Sequence, residues 1–553
     1  MRRQTRRAWL GRVAGLGGAA ALGGPALLGP ALATTLTTTL AACSDPAIAP
    51  VPAAWVGAAH ERGHRLRHLR SGALPAAART QRCDVLIVGA GIAGLACARA
   101  LGRAGISDVA LLELEDQAGG NSRGQTLGGQ RCPLGAHYLP VPDAAASEVS
   151  EWLHQIGLLT SQAGRTVADE RHLCHSPQER LFFDGAWLDG LLPPAAPGSA
   201  TQRQYRAFAA AVDEVRHRLG FAMPSLKAGW TDGHSALDAE AFAPWLARHG
   251  FDDAQLRWYL DYACRDDYGA GAAEVSAWAG LHYFASRHGF HAPGDDSAER
   301  DAVFTWPEGN AWLAERLAMP LREHLHGSRV VLRIEQQRDG VQALAWNAAS
   351  GDTEAWQAKA VVLAVPLFVA ARLLAQAPDA LAEVVQRMPH APWLVANLHL
   401  REPLLDRGIG APPSWDNVAY GSASLGYVDA GHQRLSPLPG PGVITAYWAL
   451  PQAERQALLA GDATAWAQRV IDDLKPLHPD LPHKLAQVAL MRYGHAMSIP
   501  VPGLRSSPAL AALSQQQGRV QFAHSDLSAY SVFEEAFTQG ELAGRRVAAS
   551  LRR

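Results

Sequence analysis

Gly89, Gly91 and Gly94 stand in the spacing G-x-G-x-x-G, directly behind the apolar run Val85-Leu86-Ile87-Val88 and directly before Leu95-Ala96-Cys97-Ala98-Arg99-Ala100-Leu101. Residues of these types in this order hold a pyrophosphate. The first glycine makes the tight turn out of a strand, the second lets the backbone approach the phosphates, and the third lets the helix pack on the strand. The diphosphate then meets the positive N-terminus of that helix. A second apolar run, Val109-Ala110-Leu111-Leu112, ends at Glu113. This is about 20 residues past the glycines, where a carboxylate accepts hydrogen bonds from the adenosine ribose hydroxyls. An acid there disfavours a 2′-phosphate and therefore NADP. The elements that must position these groups are a strand over 84–88, a helix from residue 92 and a second strand over 109–112, the start of a parallel sheet.

Glu113 is followed by Gly119-Gly120-Asn121-Ser122-Arg123 and then by Gly135-Ala136-His137-Tyr138. With the fingerprint, these segments resemble the flavin-containing amine oxidase superfamily, which includes protoporphyrinogen oxidases and carotenoid desaturases. The resemblance implies FAD, with the double glycine against its phosphates and the Gly-Ala-aromatic stretch near the isoalloxazine. The family carries arginine directly after the double glycine; this chain has Asn121, and Arg123 is the candidate replacement for the phosphate contact. The far end matches independently. Residues 520–526 resemble the family's late strand, with Asp526 as its acid, and residues 533–541 its closing helix, with His524 and Glu535 where the family has glycine. Residues 329–334 and 360–366 resemble the middle strands, the first touching adenine through Val331. Carried over position by position, the FAD-binding set is Gly89, Gly91, Ile92, Ala93, Gly94, Glu113, Leu114, Gly119, Gly120, Asn121, Ser122, Arg123, Gly135, Ala136, His137, Val331, Asp526, Glu535 and Ala536.

The resemblance implies that the flavin accepts hydride while the protein orients and desolvates the substrate. Many members add a lysine that holds a water near the flavin; the matching position here is Val395. The candidate catalytic residues are His495, His137, Trp448 and His524, each more often a structural residue when taken singly. A neutral imidazole at His495 can take a substrate proton near neutral pH. Tyr447, Trp448 and Tyr530 could box a cationic amine, and Asp261, Asp266, Asp267 and Glu274 could steer one if they face the cavity. Three readings stay open. One is an oxidoreductase for a small amine, a polyamine among them, with oxygen or another acceptor. The second is a dehydrogenase or desaturase of an apolar or lipid-like molecule, which the absent lysine suits. The third is a non-catalytic flavoprotein of the cell envelope.

The expected fold is α/β: a discontinuous Rossmann-like FAD-binding domain interleaved with an α+β substrate domain that carries a helical insertion. The boundaries read as a signal segment over 1–43, a linker or arm over 44–80, FAD-binding parts at 81–142, 301–380 and 506–553, a helical insertion at 143–300, and a substrate-domain sheet at 381–505. Within the insertion the pattern reads as helix over 146–153 and 205–219, with Ser235 capping a helix that includes 242–246. A chain of 553 residues, 48% hydrophobic with 16 Trp, has ample material for a large core.

Thr5-Arg6-Arg7-Ala8-Trp9-Leu10 is close to a twin-arginine export motif, followed by an Ala/Gly/Leu stretch without acids that Gly23, Gly24, Pro25, Gly29 and Pro30 keep from being a membrane helix. Leu40-Ala41-Ala42-Cys43 resembles a lipobox, so Cys43 would anchor a periplasmic lipoprotein; the alternative is cleavage after Ala31-Leu32-Ala33. Removing residues 1–42 takes five arginines and no acid from a net charge of −2 and leaves −7. That charge does not suggest a nucleic-acid partner. Cys83, Cys97, Cys132, Cys174 and Cys264 show no C-x-x-C, so neither a metal site nor a redox pair is expected. The basic run 60–70 reads either as a contact to anionic lipid or as an arm packed across the dinucleotide domain.

Overall fold

The strand Arg79–Val88 is buried over its last four residues, Val85 to Val88, as a strand covered on both faces must be. Parallel neighbours flank it, Val109–Leu112 on one side and Thr353–Leu363 on the other. Leu325–His326 extends the sheet beyond Val109–Leu112, and Gly340–Asn347 and Arg329–Gln337 extend it antiparallel beyond Thr353–Leu363. The late strand Val520–Phe522 pairs parallel with Val361 to Leu363. One sheet thus draws its strands from three separated stretches of chain. The computed structural model describes residues 51–68, 74–287, 289–292, 302–433 and 440–552, all within one unit, Ala49–Arg553. The twin-arginine motif and Cys43 lie outside the described residues.

The closing helix Phe533–Leu551 packs on the fingerprint helix Ile92–Arg103 along a seam of small residues. A Cβ on Gly540 would stand 2.1 Å from the Ala93 carbonyl oxygen and one on Gly544 2.7 Å from that of Cys97. Glycine at these two positions lets the helices touch backbone to backbone, so the last segment of the chain is locked onto the first strand–helix unit.

A second sheet of eight strands runs in the order Ala53–Trp55, Leu485–Ser498, His390–Leu400, Gly442–Ala449, Tyr427–Asp429, Asp416–Ala419, Glu179–Phe183, Ala186–Asp189. Above it lies the insertion: helices Ala200–Leu219, Asp232–Asp238, Phe242–Arg248, Ala254–Tyr268 and Ala277–Ala285 around a core that includes Tyr205, Phe208, Phe242, Leu260 and Tyr268. Together the two sheets make the expected α/β architecture. Ser199 and Asp253 start their helices by accepting from the amides of Gln202 and of Gln255 and Leu256, and Gly269 (φ 71°) ends the second.

Two sequence expectations are corrected here. The stretch after residue 145 is not helical throughout: it holds the hairpin Leu159–Gln162/Arg165–Ala168 and the hairpin Glu179–Phe183/Ala186–Asp189, the latter recruited into the second sheet by Asp416–Ala419. Ser235 is not an N-cap; it lies inside Asp232–Asp238, and the Phe242–Arg248 helix starts at Ala241 without a side-chain cap.

The arm is built in. Ala53–Trp55 pairs parallel with Leu485–Ser498, and the helix His60–His68 brings Arg62 to the Leu114 carbonyl (3.0 Å) and Asp116 (2.8 Å), across the end of the dinucleotide sheet. Among the described residues the five cysteines form no disulfide, and four of them are buried. Among the described residues, no helix is long and apolar enough to cross a membrane.

Candidate active site

A cavity of about 420 Å³ runs from the fingerprint turn to the insertion and takes its walls from both sheets. At the dinucleotide end the walls are main chain. Gly89 sits at φ +98°, where a Cβ would stand 2.4 Å from the Ala364 oxygen, and a Cβ on Gly94 would stand 2.0 Å from the Gly89 oxygen. The two glycine turns meet directly: Gly91 bridges Gly119, the Gly119 amide donates to the Ala90 carbonyl (2.8 Å), and a Cβ on Gly120 would meet the Gly91 Cα at 3.2 Å. The helix Ile92–Arg103 begins with no side-chain cap and no acid in its first turn. Its first amides are therefore left for an anion, which its dipole also favours.

Glu113 closes this end. Its carboxylate accepts from the Ala90 amide (2.7 Å) and the Glu115 amide (3.0 Å), and burial pushes its pKa up. Leu114, Asn121, Ser122, Gly135, Ala136 and Ala536 line the same cavity, as does Val331 beside a register shift in its strand. Further along, Asp526 accepts from the Leu367 amide (2.9 Å) and lies 3.3 Å from His390 Nε2. Against the burial that opposes it, His524 and His390 hold the Asp526 carboxyl well below the usual range. An uncapped helix start, two glycine turns packed backbone to backbone and a buried acid at the strand end together fit a dinucleotide.

Gly94 does the packing expected of the third glycine. Two residues expected to hold the cofactor stand elsewhere. Arg123 is used up in backbone contacts, donating to the carbonyls of Gly120 (3.2 Å) and Gly57 (2.7 Å), and is not on the cavity wall. Glu535 is fully buried and accepts from the Ser225 amide, tying the closing helix to the insertion.

The insertion end is made of side chains. Tyr138, Trp393, Tyr447 and Tyr493 line it, with Tyr447 donating to the Gly135 carbonyl (3.0 Å) and Tyr493 to that of Leu134 (2.9 Å). His137 lies in this aromatic group, 4.4 Å from the Tyr447 ring and 5.4 Å from Trp415 between centroids. Burial pushes its pKa down to about 3. An imidazole so poor in basicity is a wall group rather than a proton acceptor at neutral pH. Trp448, a catalytic candidate from sequence, is corrected: strand alternation puts Tyr447 on the cavity and Trp448 on the opposite face, packed among Leu394, Leu458 and Trp466 under Arg469. Tyr530 is likewise off the wall, its hydroxyl donating to Asp267. His495 and His524 do line the cavity; His495 is exposed, 4.8 Å from the Phe368 ring. Val395, in the lysine position, is also on the wall, in register with Tyr447 and Met491.

Of the acids singled out in the insertion, Asp266 and Asp267 reach the cavity, whereas Asp261 accepts from the Ala272 amide (2.9 Å) and Glu274 pairs with Gln452 (3.0 Å). Sequence reasoning missed Arg287 and Glu534, which also line it. Arg287 donates to Asp267 (3.1 Å) and Tyr530 (3.3 Å) and lies over the Tyr283 ring. A lone arginine in a helical insertion carries no motif, and an acid in the first turn of a helix reads as a dipole partner. Burial, with Asp267 adding repulsion, raises Asp266 to about 7; burial also raises Glu534 to about 7. Among the described residues no group of His, Cys, Asp or Glu side chains could hold a metal ion.

The sequence profile of the flavin-containing amine oxidoreductases matches residues 92–548. An L-amino acid dehydrogenase of Synechocystis sp. is 24% identical over 484 residues, covering 84% of this chain and 94% of that protein. Among solved structures, the cyclohexylamine oxidase of Brevibacterium oxydans superposes with a TM-score of 0.64 at 19% identity, over 85% of this chain and all of that one. A putrescine oxidase bound to putrescine superposes with 0.61 at 18% identity, over 86% of this chain and all of that one.

Proposed function

We propose a reaction for a chain that belongs to the flavin-containing amine oxidoreductase family and is an FAD-dependent oxidoreductase: two-electron oxidation of a small cationic amine at a carbon bearing nitrogen. FAD, when bound, supplies the acceptor for a hydride from that carbon. The backbone of Gly89 to Ala93, Gly119 and Gly120, with Glu113, would hold the dinucleotide. Tyr138, Trp393 and Tyr447 exclude water and face the cation. His495, at the exposed edge of the cavity, is the candidate acceptor for the proton an ammonium must lose before its nitrogen lone pair can assist hydride departure. One observation carries this reading: Asp266, Asp267 and Glu534 line the cavity together with Arg287.

A second reading, an L-amino acid as substrate, draws support from that arginine, Arg287, whose guanidinium could take a carboxylate, and from the relative matched along most of the chain. Anaerobic bleaching of the oxidised flavin band separates the two. Diamines and monoamines should bleach it within seconds to minutes while L-amino acids do not. Bleaching by amino acids alone would establish the second reading. If neither bleaches it while dithionite does, the substrate is apolar. The twin-arginine motif and the lipobox at Cys43 support a periplasmic enzyme, lipid-anchored and passing electrons to oxygen or another acceptor. Replacing Arg6 and Arg7 by Lys should leave the holoprotein in the cytoplasm, read by fractionation.

A further inference from the structure

We propose that His524 takes up a proton when the bound flavin is reduced and releases it when the flavin is reoxidised, with Asp526 holding the imidazolium in between. This rests on FAD binding alone and is independent of which substrate is oxidised.

Reduction puts a charge problem into the cavity. A hydride brings two electrons and one proton, so a neutral ring system gains one negative charge away from bulk water, where an uncompensated charge is costly. Among the described residues the wall has two arginines and no lysine, and both arginines are taken: Arg287 pairs with Asp267 (3.1 Å) and Arg329 with Glu354 (3.5 Å). The closing helix Phe533–Leu551 also starts at the cavity, but Glu534 and Glu535 in its first turn offset the positive potential of its N-terminus. The compensating charge must therefore be acquired, and the groups that can acquire one near neutral pH are histidines.

Four histidines line the cavity, His137, His390, His495 and His524. Burial removes His137 by pushing its pKa down to about 3. His495 lies at the exposed edge, and the Phe368 ring stands 4.8 Å from it and 5.0 Å from His390. His390 and His524 share one carboxylate: His390 Nε2 is 3.3 Å from Asp526 Oδ2, and His524 Nδ1 is 3.3 Å from Asp526 Oδ1. Asp526 is 1% exposed. Burial would push its pKa up, yet the two histidines outweigh that and hold it well below the usual carboxylate range, so it stays an anion.

The two histidines differ in what their nitrogens already do. His524 Nδ1 accepts from the Asp526 amide at 3.1 Å, which puts the proton of the neutral ring on Nε2. The same Nδ1 has the Asp526 carboxylate 3.3 Å away. One nitrogen thus has a donor for its neutral state and an acceptor for its protonated state; the glycine that the family carries at this position would have neither. On reduction a solvent proton adds to Nδ1, which then donates to Asp526. On reoxidation the electron acceptor takes the two electrons, the flavin gives up its proton, and Nδ1 returns its own to solvent. The other charged or titratable groups on the elements around this segment are His390, His495, Arg372 of the helix Leu367–Leu373, Arg455 at the His390 carbonyl, and Glu534 and Glu535. Of these His390 shares the carboxylate, so it is the control.

The test is the midpoint reduction potential of the holoprotein, measured against reference dyes between about pH 6 and 9, for the wild type, His524→Asn and His390→Gln. Each proton taken up with the two electrons changes the equilibrium constant tenfold per pH unit, about 30 mV. The wild type should take up two, about 60 mV per pH unit, over the part of the range where imidazole titrates. His524→Asn keeps an oxygen to cap the Asp526 amide, so it should retain flavin, and it should fall to about 30 mV. His390→Gln should stay at about 60 mV. A wild-type slope of about 30 mV overturns the proposal without any variant. So does about 60 mV persisting in His524→Asn, which places the second proton on the flavin ring, or about 30 mV in His390→Gln, which places it on His390. No amine enters the measurement, so failure of the amine reading leaves this result standing.

Discussion

The two ends of one cavity are built by opposite means. The dinucleotide end is main chain: glycine turns in contact, an uncapped helix start and one acid, all within residues 88–121 apart from the strands and the helix that close over them. The insertion end is side chain: Asp266, Arg287, Tyr447 and Glu534, brought together from a helix, a loop, a strand and another helix. A main-chain site tolerates any side chain that keeps clear of it and fails when a Cβ intrudes. A side-chain site keeps its shape through substitution and changes only what it recognises.

The largest effect should come from intrusion at the first end. Gly94→Val places carbon where the Gly89 oxygen stands 2.0 Å away, and the purified protein should hold less than about a tenth of its flavin, read from the ratio of visible to protein absorbance. A fully loaded variant would break the contrast. Glu113→Ala removes the carboxylate that steadies the Ala90 amide and should weaken FAD binding by about 10- to 100-fold in a fluorescence titration, leaving the amine preference of whatever holoenzyme forms intact.

The acids at the other end should announce themselves through pH. Asp266 and Glu534 titrate at about 7 in the folded chain, above their ordinary values, so between about pH 5 and 8 the unfolded chain has released protons that the folded chain still binds. Stability from these two groups is present at low pH and is lost as pH rises through 7. The melting temperature of substrate-free holoenzyme should fall over that range, and Asp266→Asn with Glu534→Gln should make the fall shallower, with Glu113, Asp416 and Glu535, which burial also pushes up, accounting for what remains. A wild-type curve that stays flat would sink the account of this wall.

The smallest effect sharpens the contrast at one step of a strand. Trp448→Phe, on the far face, should change kcat/KM by less than about twofold and lower the melting temperature by about 1 °C through its contact with Arg469. Tyr447→Phe, on the cavity, loses its donation to Gly135 and should change KM instead.

How much of this the sequence carried follows from the same difference. The parallel strands, the glycine turns, Glu113, Asp526 and the closing helix were all legible, because each is a short local pattern with a fixed mechanical reason. Arg123, Glu535 and Trp448 were misplaced. For the first two, residue type suggested a role that neighbouring backbone claimed; for Trp448, the strand's facing was undefined until its partners were known. The hairpins inside the insertion escaped because pairing with Asp416–Ala419, more than 200 residues away, decides them.

Taken alone, the chain of residues determined that the protein carries a dinucleotide and where the glycine turns suited to one stand, since close approach to phosphate depends on glycine at set intervals and on nothing distant. Only the tertiary structure decided what faces that dinucleotide. Which of many scattered acids, tyrosines and histidines share one cavity, and which carboxyls are left there without a donor, depends on how separate helices and strands pack, and no local spacing encodes that.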